Sequence, residues 1–277
     1  LGMKVVLIEK HLMGGDCLNT GCVPSKALIA AARRAHDMRT AGQFGITSVE
    51  PQVDATAVND HIKSVIAGIA RNDSVERFTG MGVEVIHAAA RFRDKSTVEA
   101  GDTLVKAFRF VIATGSSPDV PAIPGLDKVP YLTNESIFDL RQPVGHLVVI
   151  GGGSVGMELA QAYLRFGAQV TVLESLKALG RDDPELSDVV LKHVRAEGLV
   201  VREGVRVERV SGWPGAVQVM ITTPEGVAET VEGTHLLIAA GRRPNVQDLN
   251  LEAAGIKYDK RGIMVSSGLV TSNRRVF

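Results

Sequence analysis

"HLVVIGGGSVGMELAQAYLRFGAQVTVLE", residues 146–174, decides the fold. "HLVVI" predicts a buried strand, "MELAQAYLRFG" a helix and "QVTVLE" a second strand, which together make a βαβ unit. Between the first strand and the helix lies Gly151-x-Gly153-x-x-Gly156, in the context this motif requires. The first glycine makes the tight turn, the second lets a pyrophosphate approach the backbone, and the third lets helix pack closely on strand. The helix N-terminus then offers free N–H groups and the positive end of its dipole to the phosphates. Glu174 ends the second strand, where a carboxylate bonds a ribose 2′-OH. A carboxylate there repels a 2′-phosphate, so NADH is favoured over NADPH; Arg181, folding back, is the one group that argues the other way.

Working outward, a helix is predicted over about 185–197, and strands over 199–231 with "GWPG" as a turn. "THLLIAAGRRPN" (234–245) repeats an earlier pattern, "FRFVIATGSSP" (108–118): a buried strand, a small-residue turn, then a proline. Residues 3–9 read as a buried parallel strand ending in Glu9, which by itself is either an ordinary strand-end carboxylate or a partner for a second ribose. A glycine-rich loop follows, then a helix opened by Pro24 and running to about Met38, and one long helix over 54–79. The proline-rich stretch 118–145 reads as a connection with a short helix near Asn134–Leu140. The chain is therefore expected to be α/β, with two related Rossmann-like nucleotide-binding domains, in three layers with parallel sheets.

The bulk numbers agree. A chain of 277 residues with 45% apolar content has room for about two domains with sizeable cores. Its 31 basic and 31 acidic residues balance, which argues against a generic nucleic-acid or membrane-surface binder. No apolar run approaches the roughly 20 residues of a membrane helix. The seven histidines show no metal-ligand spacing. Two cysteines are not a secreted disulfide framework, and a cytoplasmic setting fits them, where a disulfide is more often catalytic than structural.

Both cysteines lie in "GGDCLNTGCVPSK" (14–26). A bridge between Cys17 and Cys22 needs Cα atoms about 4.4–6.8 Å apart, whereas five extended steps reach roughly 16 Å, so the segment must turn back. Asn19 and Gly21 tolerate the backbone such a turn uses. Cys22 stands at the start of a helix, which favours thiolate over thiol, and Cys17 sits further out. A zinc site lacks ligands, inert buried cysteines need no surrounding glycines, and a structural bridge over so short a loop adds little. The redox-active reading ranks above all three. Lys26, one turn into the helix, is either a solvated lysine or a functional cation.

"GGDCLNTGCVPSKALI" resembles the active-site signature of the class I pyridine nucleotide-disulfide oxidoreductases, the flavoenzymes that include dihydrolipoamide dehydrogenase, glutathione reductase and mercuric reductase. "VIATGSSP", "GGGSVGMELA" and "AAGRRPN" resemble the family's later landmarks, in the family's order. The resemblance implies an FAD domain interrupted by an NAD(P) domain, with boundaries expected at 1–144 (FAD), 145–262 (NAD(P)) and 263–277 (return to the FAD domain). It implies that hydride passes from NAD(P)H through flavin to a Cys17–Cys22 disulfide and on to a small disulfide or dithiol substrate or to Hg(II). Cys22 is then the flavin-proximal thiolate, Cys17 the interchange thiol, and Lys26 a cation near the flavin. Glu9, Gly15, Ala89 and the turn Thr114, Gly115, Ser116 are expected against FAD. Gly151, Gly153, Gly156, Glu158, Glu174, Val207 and Gly241 are expected to line the nicotinamide nucleotide.

The sequence departs from the family pattern in several places. Asp16 stands where the family usually has Thr, and a carboxylate near FAD phosphate is unfavourable unless it points away. The family's N-terminal glycine motif, the "GD" expected after Phe277, and the C-terminal dimerisation domain with its His–Glu pair are not in these 277 residues. The expectation is a fragment of a homodimeric parent. The competing reading is a truncated NADH-binding module without turnover.

Overall fold

The structure, a computed structural model, describes residues 2–277. In chain order the elements are β1 (Val5–Glu9), α1 (Gly15–Asn19), α2 (Cys22–Thr40), α3 (Ala55–Ala70), α4 (Val75–Gly80), β2 (Val83–His87), β3 (Ala90–Asp94), β4 (Thr97–Ala100), β5 (Thr103–Lys106), β6 (Ser116–Pro118), β7 (His146–Ile150) and α5 (Ser154–Arg165). Then come β8 (Gln169–Leu173), α6 (Pro184–Ala196), β9 (Val200–Arg202), β10 (Arg206–Trp213), β11 (Ala216–Thr222), β12 (Ala228–Gly233), β13 (His235–Ile238), β14 (Arg242–Pro244), β15 (Tyr258–Asp259) and β16 (Gly262–Ile263). The architecture is mixed α/β with parallel sheets, as the sequence predicts. No helix among the described residues is long and apolar enough to cross a membrane. They also hold no cluster of three or more His, Cys, Asp or Glu side chains able to hold a metal.

The chain divides into two compact units. One comprises 20–66 and 118–241. Its centre is a four-stranded sheet in the order β13-β7-β8-β9, with every pairing parallel. These strands are apolar almost throughout because both faces are covered. Successive side chains of β7 go to opposite sides. Leu147 and Val149 join the core shared with Ala27, Leu28 and Ala32 of α2, Ile62 of α3, and α5 and α6. Val148 and Ile150 join the core shared with Val210, Val217, Val219 and Ile221 of the antiparallel sheet β10-β11-β12. Helices, parallel sheet and antiparallel sheet therefore make three layers.

Polar contacts add to this packing of α2 on α5. Arg39 donates to the carbonyl of Arg165. Arg165 holds Glu197 with two bonds of 2.8 and 2.6 Å, and Gln161 adds a third. Burial pushes the Glu197 carboxyl up, but the bonds and charge of Arg165, with His36 nearby, outweigh it and leave the group below its ordinary value. A carboxyl held low in the folded state stabilises it above the unfolded value and loses that contribution as pH falls through the folded one. Arg165→Met is therefore expected to cost about 1–2 kcal/mol at neutral pH, between the exposed and fully buried cases. It should also flatten the acid limb of stability, because the contribution lost as pH falls below the ordinary carboxylate range is then already absent. Chemical denaturation across pH checks both.

The other unit comprises 1–19, 67–117 and 242–277. It contains the parallel pair β1–β2, the meander β3-β4-β5 and the hairpin β15–β16 around a core of Phe92, Val98, Leu251, Ala254, Ile256 and Val276. Four local expectations are corrected here or in the first unit. The strand at 3–9 is not buried: Val5 and Val6 are exposed, because among the described residues β1 has the single neighbour β2. "FRFVIATG" forms no continuous strand, but makes bonds from Phe110 and Ile112 to 275–277 and an isolated parallel bridge to Val276. The helix over 54–79 is two helices, because Ser74 is extended and its side chain accepts from the N–H of Arg77, starting α4 afresh. The glycine-rich loop contains the short helix α1, with Cys17 inside it.

Candidate functional site

The cradle lies at the C-terminal ends of β7 and β8, beside β13. There the strand order reverses, the place where open α/β sheets bind ligands. Gly151 has φ +113°, and a Cβ there would meet the Ala239 carbonyl oxygen at 2.3 Å. A Cβ on Gly156 would meet the Gly151 oxygen at 2.1 Å. These two glycines let the turn and α5 close onto the sheet. Gly153 differs: it is the N-cap of α5, makes no side-chain cap, and a Cβ there would meet nothing within 4 Å. The space above Gly153 and the uncapped N–H groups of α5 fit the pyrophosphate of a dinucleotide.

Glu174 reaches back across this loop. Its carboxylate accepts from the N–H of Gly152 at 2.7 Å and from the N–H of Leu176 at 2.9 Å. The sequence places Glu174 at the strand end but does not show that it braces the glycine turn itself. Val207 is on β10, two residues after Val205, whose N–H donates to the Glu174 carbonyl at 3.1 Å. Gly241, with φ +146°, follows β13, and its carbonyl accepts from the N–H of Asp119.

In the same unit, Cys22 is the first residue of α2, after Gly21 as N-cap. The Thr20 carbonyl before it accepts from Asn134 at 3.2 Å. One turn on, Lys26 donates to both oxygens of Glu158, at 3.1 and 3.0 Å. This pair joins the first turns of α2 and α5. Both side chains are largely exposed, so it contributes at most about 1 kcal/mol to stability. Two residues assigned on sequence to different cofactors are therefore direct neighbours.

The other unit carries Cys17 in α1. Both cysteines are exposed thiols in this structure. The Glu9 carboxylate accepts from the N–H of His11 at 2.8 Å. Gly15 opens α1 with φ +58°, and Ala89 is exposed in the turn after β2. The turn Thr114, Gly115, Ser116 is held by the segment that resembles it. Thr114 donates to the Asn245 carbonyl, Asn245 donates to the carbonyls of Thr114 and Gly115, and Arg242 donates to Ser116. With Gly115 at φ +68° and nothing within 4 Å of a Cβ, the turn leaves room for a ligand. Arg242 and Asn245 were not assigned to this turn on sequence; the signal was the repeated strand-turn-proline pattern at 108–118 and 234–245.

Residues 1–277 match the pyridine nucleotide-disulphide oxidoreductase family. The chain is 36% identical to a mercuric reductase of Streptomyces lividans over 283 residues, covering all of this chain and 60% of that protein. It is 35% identical to a dihydrolipoyl dehydrogenase of Thermus scotoductus over 291 residues, with the same coverage. Among solved structures, the HOCl-induced flavoprotein disulfide reductase RclA of Escherichia coli matches all of this chain and 60% of its own, at 27% identity and a TM-score of 0.84. The chain thus spans 60% of the length of these relatives.

Proposed function

Because the chain belongs to the pyridine nucleotide-disulphide oxidoreductase family, we propose that it carries the cofactor sites and the redox cysteines of an FAD-dependent NAD(P)H oxidoreductase. Its substrate is a small disulfide, with the corresponding dithiol as substrate in the reverse direction, or Hg(II). One observation carries the reading: α2 begins at Cys22, α5 begins at the nucleotide cradle, and Lys26 and Glu158 join their first turns. In this reading residues 1–144 and 263–277 form the FAD domain and 145–262 the nicotinamide domain. Glu9, Gly15, Lys26, Ala89, Thr114, Gly115 and Ser116 hold FAD. Gly151, Gly153, Gly156, Glu158, Glu174, Val207 and Gly241 hold NAD. When bound, the two cofactors supply hydride transfer that reduces the cysteine pair.

The chain's own residues do the rest. Reduction opens the Cys17–Cys22 bridge to two thiols. The Cys17 thiolate attacks one sulfur of a substrate disulfide, breaking the S–S bond, forming a mixed disulfide and releasing one thiolate. Cys22 then attacks the Cys17 sulfur, restores the bridge and releases the second thiolate. Hg(II) as substrate suits the same pair, since thiolates are soft. Lys26, held by Glu158, fixes a positive charge one turn from Cys22. Glu174 beside the glycine turn favours NADH over NADPH through its charge.

The test is NADH oxidation by the full-length protein that contains this chain, with lipoamide and with Hg(II) in turn. One of the two is expected to accelerate turnover, and Cys17→Ser should abolish the acceleration. Failure of both contradicts the lipoamide and Hg(II) readings, and failure of NADH, while still bound, to reduce the cysteine pair leaves an NADH-binding module without turnover.

A further inference from the structure

Helix α1 is five residues long, too short to hold itself by its own backbone bonds. It contains Cys17, and the residue before the cysteine is Asp16. The structure shows where that carboxylate goes. Arg242, 226 positions later and first in β14, pairs with Asp16 at 2.5 Å. The guanidinium is itself oriented, since its Nε donates to Ser116 Oγ at 2.8 Å and its Nη2 to the Ser116 carbonyl at 2.6 Å. The Arg242 side chain is 29% exposed, so the pair is only partly screened by water. At the other end of α1, Leu18 is buried and Asn19 donates to the carbonyls of Met13 and Gly15. A planar fork that bonds a strand on one side and a carboxylate on the other is a geometry arginine supplies and lysine does not.

We propose that Arg242 is a positioning residue for Cys17. It holds and neutralises the Asp16 carboxylate beside the cysteine, and by that charge compensation sets the reactivity of the interchange thiol. An uncompensated carboxylate next to the cysteine would oppose formation of the thiolate that attacks substrate. The proposal rests on the reading of Cys17 as the substrate-facing thiol.

The test is the rate of alkylation of Cys17 by iodoacetamide in the reduced protein, with Cys22 as internal reference and both sites quantified by peptide mass spectrometry. Arg242→Met is expected to slow Cys17 relative to Cys22 roughly two- to fivefold, the scale of a partly exposed ion pair. Adding Asp16→Asn to that variant should bring the ratio back, and raising the salt should shrink the defect. A purely structural role predicts that the second substitution and salt leave the defect in place. An unchanged ratio in Arg242→Met, or a double variant as slow as the single, overturns the proposal. Thermal melts of the three variants identify any that fail to fold, and Asp16→Asn alone, which keeps Arg242, then carries the comparison: it must leave Cys17 at least as reactive as in the parent, and a slower Cys17 overturns the proposal. Whether NADH reduces the cysteine pair at all is measured separately, so failure of the underlying reading is distinguishable.

Discussion

Gly156→Ala is expected to abolish tight NADH binding and to destabilise the protein. The added Cβ lands 2.1 Å from the backbone oxygen of Gly151, which cannot swing aside as a side-chain tip does. Either α5 lifts from the sheet or the turn at Gly151 opens, and both displace the N–H groups at the start of α5 that would face a bound pyrophosphate. Overpacking of this kind costs about 1–3 kcal/mol, and the displaced cradle should lose at least about tenfold in NADH affinity, a small error in a site that depends on placement. Gly153→Ala is the control. Its φ of −74° suits alanine and the space around it is open, so stability should stay within about 0.5 kcal/mol. If a pyrophosphate does approach there, NADH affinity still falls. Thermal melts and NADH fluorescence titrations of the two variants separate backbone packing from ligand contact. Equal stability for both would contradict the close packing of α5 on β7.

Cys17→Ser and Cys22→Ser are expected to show the opposite balance. Both side chains are exposed, so neither replacement opens a cavity, and melting temperatures should hardly move. Substrate-dependent NADH oxidation by the full-length protein should fall at least about a hundredfold in each, because the two sulfurs act as one unit. For the same reason the double variant should be no worse than either single. Full turnover in either single variant would remove the cysteine pair from the reaction.

These effects trace how far the sequence could be read. The segment 146–174 was legible because its information is local. A buried parallel strand is apolar throughout, the glycines stand at fixed offsets, and the helix has a clear period. The extended backbone of Ser74 was not, since residues 54–79 keep an apolar helical period across the break. Helix α1 lies among glycines that usually mark a loop, and it is held by Leu18 and by Arg242, a contact across 226 positions. The Cys17–Cys22 motif could be found by its spacing, while the arrangement around it could not. Lys26 with Glu158, Glu174 with Gly152, and Arg242 with Asp16 are all side-chain meetings set by the tertiary fold. Motifs therefore announced which chemistry to look for, and packing determined which charges stand beside it.

The central claim is that electrons from NADH reach the Cys17–Cys22 pair. The most direct measurement is to load the full-length protein with FAD, add one equivalent of NADH without oxygen, and count alkylatable thiols before and after, mapping them to peptides. Two new thiols are expected, one at Cys17 and one at Cys22, and none when NADH is withheld. A protein that retains flavin and consumes NADH yet exposes no thiol at either position contradicts it.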